Sequence, residues 1–202
     1  SLNDILGLHA FNFDLEQFGQ VQTLLGYTWQ NPVYLQHALT HPSYFGDSMR
    51  TYKQEGSYEL LEFLGDSVLD FVVIVHFIIP NYPDFSPKHM SELKSALVRN
   101  DTLGWIAYRM TLHKFVRIRK DDAWALRAYV DAMDQMGEGI PSPDAPRPPK
   151  TLANILEAVI GAVFLDLNCN VTDAWTIMKP WLLSYFEMVA RAYIAASKIV
   201  IL

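Results

Sequence analysis

The stretch Tyr58-Glu59-Leu60-Leu61-Glu62-Phe63-Leu64-Gly65-Asp66-Ser67-Val68-Leu69-Asp70 decides how this chain is read. Its acids Glu59, Glu62 and Asp66 stand at i, i+3 and i+7, which puts them on one face of a helix. Almost everything else in the segment is apolar and continues so through Phe71, Val72, Val73, Ile74 and Phe77. The helix is therefore expected to be central, with its acids at least partly desolvated. Ionised carboxylates so placed need a partner, because burying them alone is costly or forces protonation.

A second segment, Asn154-Ile155-Leu156-Glu157-Ala158-Val159-Ile160-Gly161-Ala162-Val163-Phe164-Leu165-Asp166, repeats the pattern. Its polar side chains before the end are Asn154 and Glu157, spaced i, i+3. If the two helices pack side by side, as Gly65 and Gly161 permit by allowing close backbone approach, four carboxylates and an amide converge. Such an all-oxygen set suits a hard cation, Mg2+ or alternatively Mn2+. Spacing alone leaves the alternative open: solvated surface acids, or ion pairs with Lys94, Arg99 or Lys150.

Outward from these segments, helical periodicity runs through residues 33–39, 58–77, 90–108, 151–167 and 171–192, with no convincing strand alternation. The expectation is an all-α fold. Asn31-Pro32 reads as a helix start, whereas Pro80-Asn81-Tyr82-Pro83 and Ser86-Pro87 disfavour continuous helix. Residues 137–149, GEGIPSPDAPRPP, read as an exposed loop, preceded by a surface helix with apolar spacing at Trp124, Leu126, Val130 and Met133.

Composition narrows the classes. Half of the 202 residues are apolar, enough for one sizeable core. A formal charge of −6 is the wrong sign for gripping nucleic acid by counterion release alone, so any such contact must be local or shared with a partner. A lone cysteine, Cys169, excludes an internal disulfide framework and suits an intracellular, reducing compartment. The most apolar runs are expected to stop after a dozen or so residues, short of a membrane span. Asp4, Asp14 and Glu16 argue against an organellar transit peptide.

With these residues in view, the chain resembles the ribonuclease III family. Residues 61–69, LEFLGDSVL, look like that family's signature. Ala38-Leu39-Thr40-His41-Pro42-Ser43-Tyr44, residues 91–100 (SELKSALVRN), Pro149-Lys150 and residues 152–166 (LANILEAVIGAVFLD) agree in order and spacing. The resemblance covers residues 21–181, and within the family it is nearest the second catalytic domain of Dicer-type enzymes and plant ribonuclease III-like proteins. It implies an N-terminal extension at 1–20, the domain at 21–186 with an exposed insertion about 121–149, and a helical tail at 187–202.

The resemblance further implies a two-metal hydrolysis of double-stranded or structured RNA, leaving 5′-phosphate and 3′-hydroxyl ends with short 3′ overhangs. By motif, Glu62, Asp66 and Glu157 match the metal-binding acids, and Glu59 the supporting acid one turn earlier. Asn154 departs from the usual aspartate: its carbonyl can still face a cation but brings no charge, so slower cleavage is expected. Lys94 and Lys150 are implied RNA contacts, and Phe63 a dimer contact with a second copy or another ribonuclease III-type chain. The basic run Arg117-Ile118-Arg119-Lys120 is a weaker phosphate candidate, His41 reads as a turn residue, and Asp70 and Asp166 as surface acids or salt-bridge partners. No membrane partner is expected. Two competing functions are a non-catalytic structural RNA-binding subunit, as in an organellar large ribosomal subunit, and a scaffold that pairs with an active chain.

Overall fold

The computed structural model describes residues 11–46 and 56–197. The first ten residues of the expected extension and the last five of the tail lie outside the described residues. Those described form helices α1 (Leu15–Leu25), α2 (Pro32–Ala38), α3 (Glu59–Asn81), α4 (Pro87–Val98), α5 (Asn100–Arg109), α6 (Trp124–Met133), α7 (Lys150–Asp166) and α8 (Val171–Ser197). Among them there is no strand, only a single backbone bridge between Thr40 and Arg117. The fold is all-α, as the periodicity implies.

Local chemistry sets the helix ends. Asp14 caps α1 by accepting from the Gln17 N–H at 2.8 Å, and Gly26 closes it in the left-handed conformation, φ 62°. Asn31 accepts from Val33 N–H ahead of Pro32, and Ser86 from His89 N–H ahead of Pro87. The expected single helix over 90–108 is two: Arg99 takes an extended conformation, ψ 152°, and α5 begins afresh.

Helix α3 is longer than its sequence suggests. Between Val73 and Ile78 it widens into a π turn, which carries it past the missing N–H of Pro80 to Asn81, whose side chain donates to the Phe77 carbonyl at 2.7 Å. At 23 residues, with a mean hydropathy of 1.8 in its most apolar window, it is long and apolar enough by length and composition to cross a membrane. This corrects the expectation of short apolar runs. Only 39% of that window is buried, so the domain core does not account for all of its apolar surface.

Helix α7 is the centre of the core, buried on every side from Leu152 to Val163. Helices α2, α3 and α5 pack around it. Helix α8 closes the other side, with Phe186 against Phe77 at 5.6 Å and the Trp181 indole donating to the Leu25 carbonyl at 2.8 Å. Asp166 is no surface acid. It is buried at the end of α7 and accepts from the Tyr27 hydroxyl and the Gln30 and Asn31 N–H groups at 2.7–2.8 Å, anchoring the start of α2. Burial, then the hydrogen bond to Asp166, pushes the Tyr27 phenol above its usual range.

On α6 the inward residues are Leu126, Tyr129 and Met133, while Trp124 faces out. The basic run is mostly committed to structure. Arg117 donates to Thr40 and Asn12 and lies over the Tyr44 ring, and Arg119 pairs with Asp122 at 3.1 Å. His41 caps the turn Pro42–Phe45 by accepting from Ser43 N–H, the turn role expected of it.

The tightest packing is between α3 and α7. A Cβ on Gly65 would overlap the Glu157 carbonyl, and one on Gly161 the Leu61 carbonyl, so only hydrogen fits at either place. Gly65→Ala should therefore cost about 3 kcal/mol or more in urea unfolding. Gly19→Ala, in α1 with nothing within 4 Å, should instead stabilise by roughly 0.5–1 kcal/mol. A Gly65→Ala protein as stable as its parent would contradict the close approach.

Candidate metal centre at the helix seam

The seam places the acids around the line where α3 and α7 touch. Glu62 is half-buried on α3, Asp66 is exposed one turn on, and Glu157 on α7 is only 5% exposed. Burial, then the negative charges of Asp66 and Glu62, push the Glu157 carboxyl up to about 8, with Lys150 opposing the rise. Glu62 is also raised, by burial first and then by Asp66 and Glu59 against the pull of Lys150. Glu59 is exposed and accepts from the Ser57 hydroxyl at 3.3 Å.

Asn154 is buried one turn before Glu157. Its amide Nδ2 donates to the Tyr58 hydroxyl at 3.3 Å, while its Oδ1 is buried without a hydrogen-bond partner. Tyr58 is a site residue that spacing does not reveal. It precedes Glu59 in the chain and reaches α7 only through the fold; burial raises its phenol, and the hydrogen bond with Asn154 partly offsets this.

The structure brings Glu62, Asp66, Glu157 and Lys150 within electrostatic reach of one another, with Glu59 at the margin. Among the described residues, no three Asp, Glu, His or Cys side chains converge as a ready-made metal cage. The donor chemistry nonetheless fits a hard cation: three carboxylates, one of them pushed up to about 8 by burial first and then by its acidic neighbours, and a buried carbonyl oxygen without a hydrogen-bond partner.

Lys94 pairs with Asp70 at 2.6 Å, so its charge is already matched, whereas Lys150 is exposed at the first turn of α7. Asp70 is thus a salt-bridge partner, as expected for it. Phe63 points away from the seam at 74% exposure and heads an open apolar stripe on α3 with Phe71, Ile74, Val75 and Ile79.

Comparison with known proteins follows the same lines. The family model described as "Ribonuclease III domain" matches residues 59–168. Endoribonuclease Dicer homolog 4 of Oryza sativa subsp. japonica is 31% identical over 187 residues, 88% of this chain and 11% of that protein. Dicer-like protein 1 of Pyricularia oryzae is 32% identical over 170 residues, 75% of this chain and 10% of its own length. The chain thus spans about a tenth of these curated relatives. Among solved structures, the nuclease domain of ribonuclease III from Campylobacter jejuni superposes with a TM-score of 0.63 at 27% identity, covering 86% of this chain and 99% of that one. That structure was described for flexibility in a region involved in dimer formation.

The raised Glu157 pKa fixes a pH dependence. A carboxyl that holds its proton more tightly folded than unfolded loses stability for the fold as pH rises from about 4.5 toward 8. In chelator, the Tm should fall between pH 6 and pH 8, by the equivalent of on the order of 3 kcal/mol. Glu157→Gln should flatten that slope. Millimolar Mn2+ should raise the parent's Tm more at pH 8 than at pH 6, since the carboxyl must shed its proton to bind. An identical slope in parent and Glu157→Gln would disprove the assignment.

Proposed function

The chain belongs to the ribonuclease III family, and from that premise we propose that it is a divalent-metal-dependent endoribonuclease acting on double-stranded RNA. The observation that carries this reading is the crowding of Glu62, Asp66 and Glu157 beside the unpartnered Asn154 carbonyl. These four would hold Mg2+, or Mn2+ in its place, with Glu59 supporting them from one turn earlier. Held there, such ions would supply a water of lowered pKa and positive charge beside the phosphate oxygens, chemistry suited to hydrolysis that leaves 5′-phosphate and 3′-hydroxyl ends.

The chain's own residues supply the rest. Lys150, exposed at the start of α7 and facing Glu62 and Glu157, offers a point charge to the scissile phosphate. Lys94 contributes to RNA only by sharing its charge with Asp70. With a net charge of −6, affinity rests on such local cations and on contacts to phosphate and 2′-hydroxyl groups, so sequence preference is weak.

Phe63 and the stripe behind it would seat on a second ribonuclease III-type domain, identical or not, giving one site per half and offset cuts across the minor groove. Several exposed aromatic and aliphatic side chains gathered on one helix are the composition of an interface centre.

A long perfect RNA duplex incubated with Mg2+ or Mn2+ should yield short duplexes with 5′-phosphate ends. Glu157→Gln should lower the rate by at least about a hundredfold, and Asn154→Asp should raise it by about tenfold through the added charge. Intact RNA under both metals would refute catalysis and favour the structural RNA-binding reading.

Oligomeric state tests the stripe separately. Phe63→Asp should sediment as a monomer, or lose its heterologous partner, with a helical spectrum unchanged from the parent. A variant that still self-associates like the parent removes Phe63 from the interface.

A further inference from the structure

Away from the acidic seam, a cleft of about 630 Å³ opens between residues 140–148 and the flanks of α5 and α8. Its outer wall is the proline-rich loop, seated so closely that a Cβ on Gly104 would meet the Pro148 ring at 2.7 Å. Trp105 and Val189 supply apolar surface opposite. A space of this size under a covering loop suits a small ligand and excludes an RNA duplex.

Its charged lining is net positive. Arg99, at the break between α4 and α5, and Arg147, in the loop, both line the cleft, and neither is in an ion pair among the described residues. Arg99 donates only weakly to Thr102 Oγ1, at 3.4 Å. Asp101 also lines the cleft, leaving one positive charge in excess. Tyr129 lines it as well; the residue is 3% exposed and its hydroxyl has no hydrogen-bond partner. The two guanidinium groups are exposed donors at the cleft, while the Tyr129 hydroxyl is a buried one, and a buried donor without an acceptor is costly to keep.

We propose that this cleft binds a small aromatic anion, its ring between the loop prolines and Trp105, its charge held by Arg99 and Arg147, and an acceptor turned toward the Tyr129 hydroxyl. Arginine, through its planar fork, favours carboxylate, sulfonate or phosphate groups alike. The loop that forms the wall runs directly into Lys150, so an occupant rests against the segment that positions the start of α7.

Calorimetric titration with adenosine monophosphate and, separately, 1-naphthalenesulfonate tests the site without reference to nuclease activity. At least one probe should bind once per chain with a Kd below about 1 mM. Arg147→Ala, Arg99→Ala and Tyr129→Phe should each weaken it about fivefold or more, whereas Phe63→Asp should not. Preference for adenosine monophosphate identifies a nucleotide site, and preference for the sulfonate an aryl-anion site. The proposal is overturned if neither probe saturates, if both arginine variants bind as the parent does, or if Phe63→Asp alone abolishes binding.

Discussion

The backbone contact between α3 and α7 is the constraint on which the rest of the molecule depends. At Gly65 and Gly161 the two helices approach so closely that each glycine faces the other helix's carbonyl row. No other side chain is compatible with that distance. Because the contact lies between Glu62 and Asp66 on one helix and beside Glu157 on the other, the approach that builds the core also crowds the acids. A wider separation would leave Glu157 hydrated and ordinary. The closeness, not the mere presence of acids, makes the seam chemically unusual.

That arrangement is expensive for a domain whose net stability is small. Glu157 is buried in the most apolar helix of the core, where its ionised form is disfavoured by burial before any neighbour is counted. The surrounding core offsets the cost. Helix α7 is buried nearly end to end, and Asp166 ties its last turn to the loop before α2 with three hydrogen bonds. Asp166 satisfies its charge with two backbone N–H groups and a phenol, whereas Glu157 is left among like charges. The contrast between two buried acids on one helix separates a carboxylate whose hydrogen bonds are met from one crowded by like charges.

Much of this was legible in the sequence because it is local. The i, i+3, i+7 spacing of the acids, the glycines between them and the apolar run of α7 are properties of single segments; the fold sets the two helices against each other at those glycines, though among the described residues no three acids converge as a metal cage. What was not legible depends on partners far along the chain. Tyr58 meets Asn154 across 96 residues and Asp166 meets Asn31 across 135, distances over which periodicity says nothing. Helix α1 was missed because its buried face is only Val21 and Leu25, although Asp14, Gln17 and Gly26 carried a capping signal. The break at Arg99 was hidden because apolar spacing continues across it in Leu97 and Leu103. The stripe at Phe71, Ile74 and Val75 exposes a deeper ambiguity: apolar periodicity marks surface that must be covered without saying by what.

Asn154 brings these strands together. Aspartate at this position would set another negative charge one turn from a carboxyl already pushed up to about 8, raising it further and weakening the metal-free fold. An amide relieves that repulsion. Its Nδ2 is fastened to Tyr58, which leaves Oδ1 as the atom available to the seam, so the side chain keeps an oxygen donor while surrendering the charge. The consequence is a shift in balance: less strain without a cation, and less attraction toward one. The amide thus exchanges a carboxylate's repulsion for a neutral oxygen one turn from Glu157, which with Asp166 is the most buried acid among the described residues.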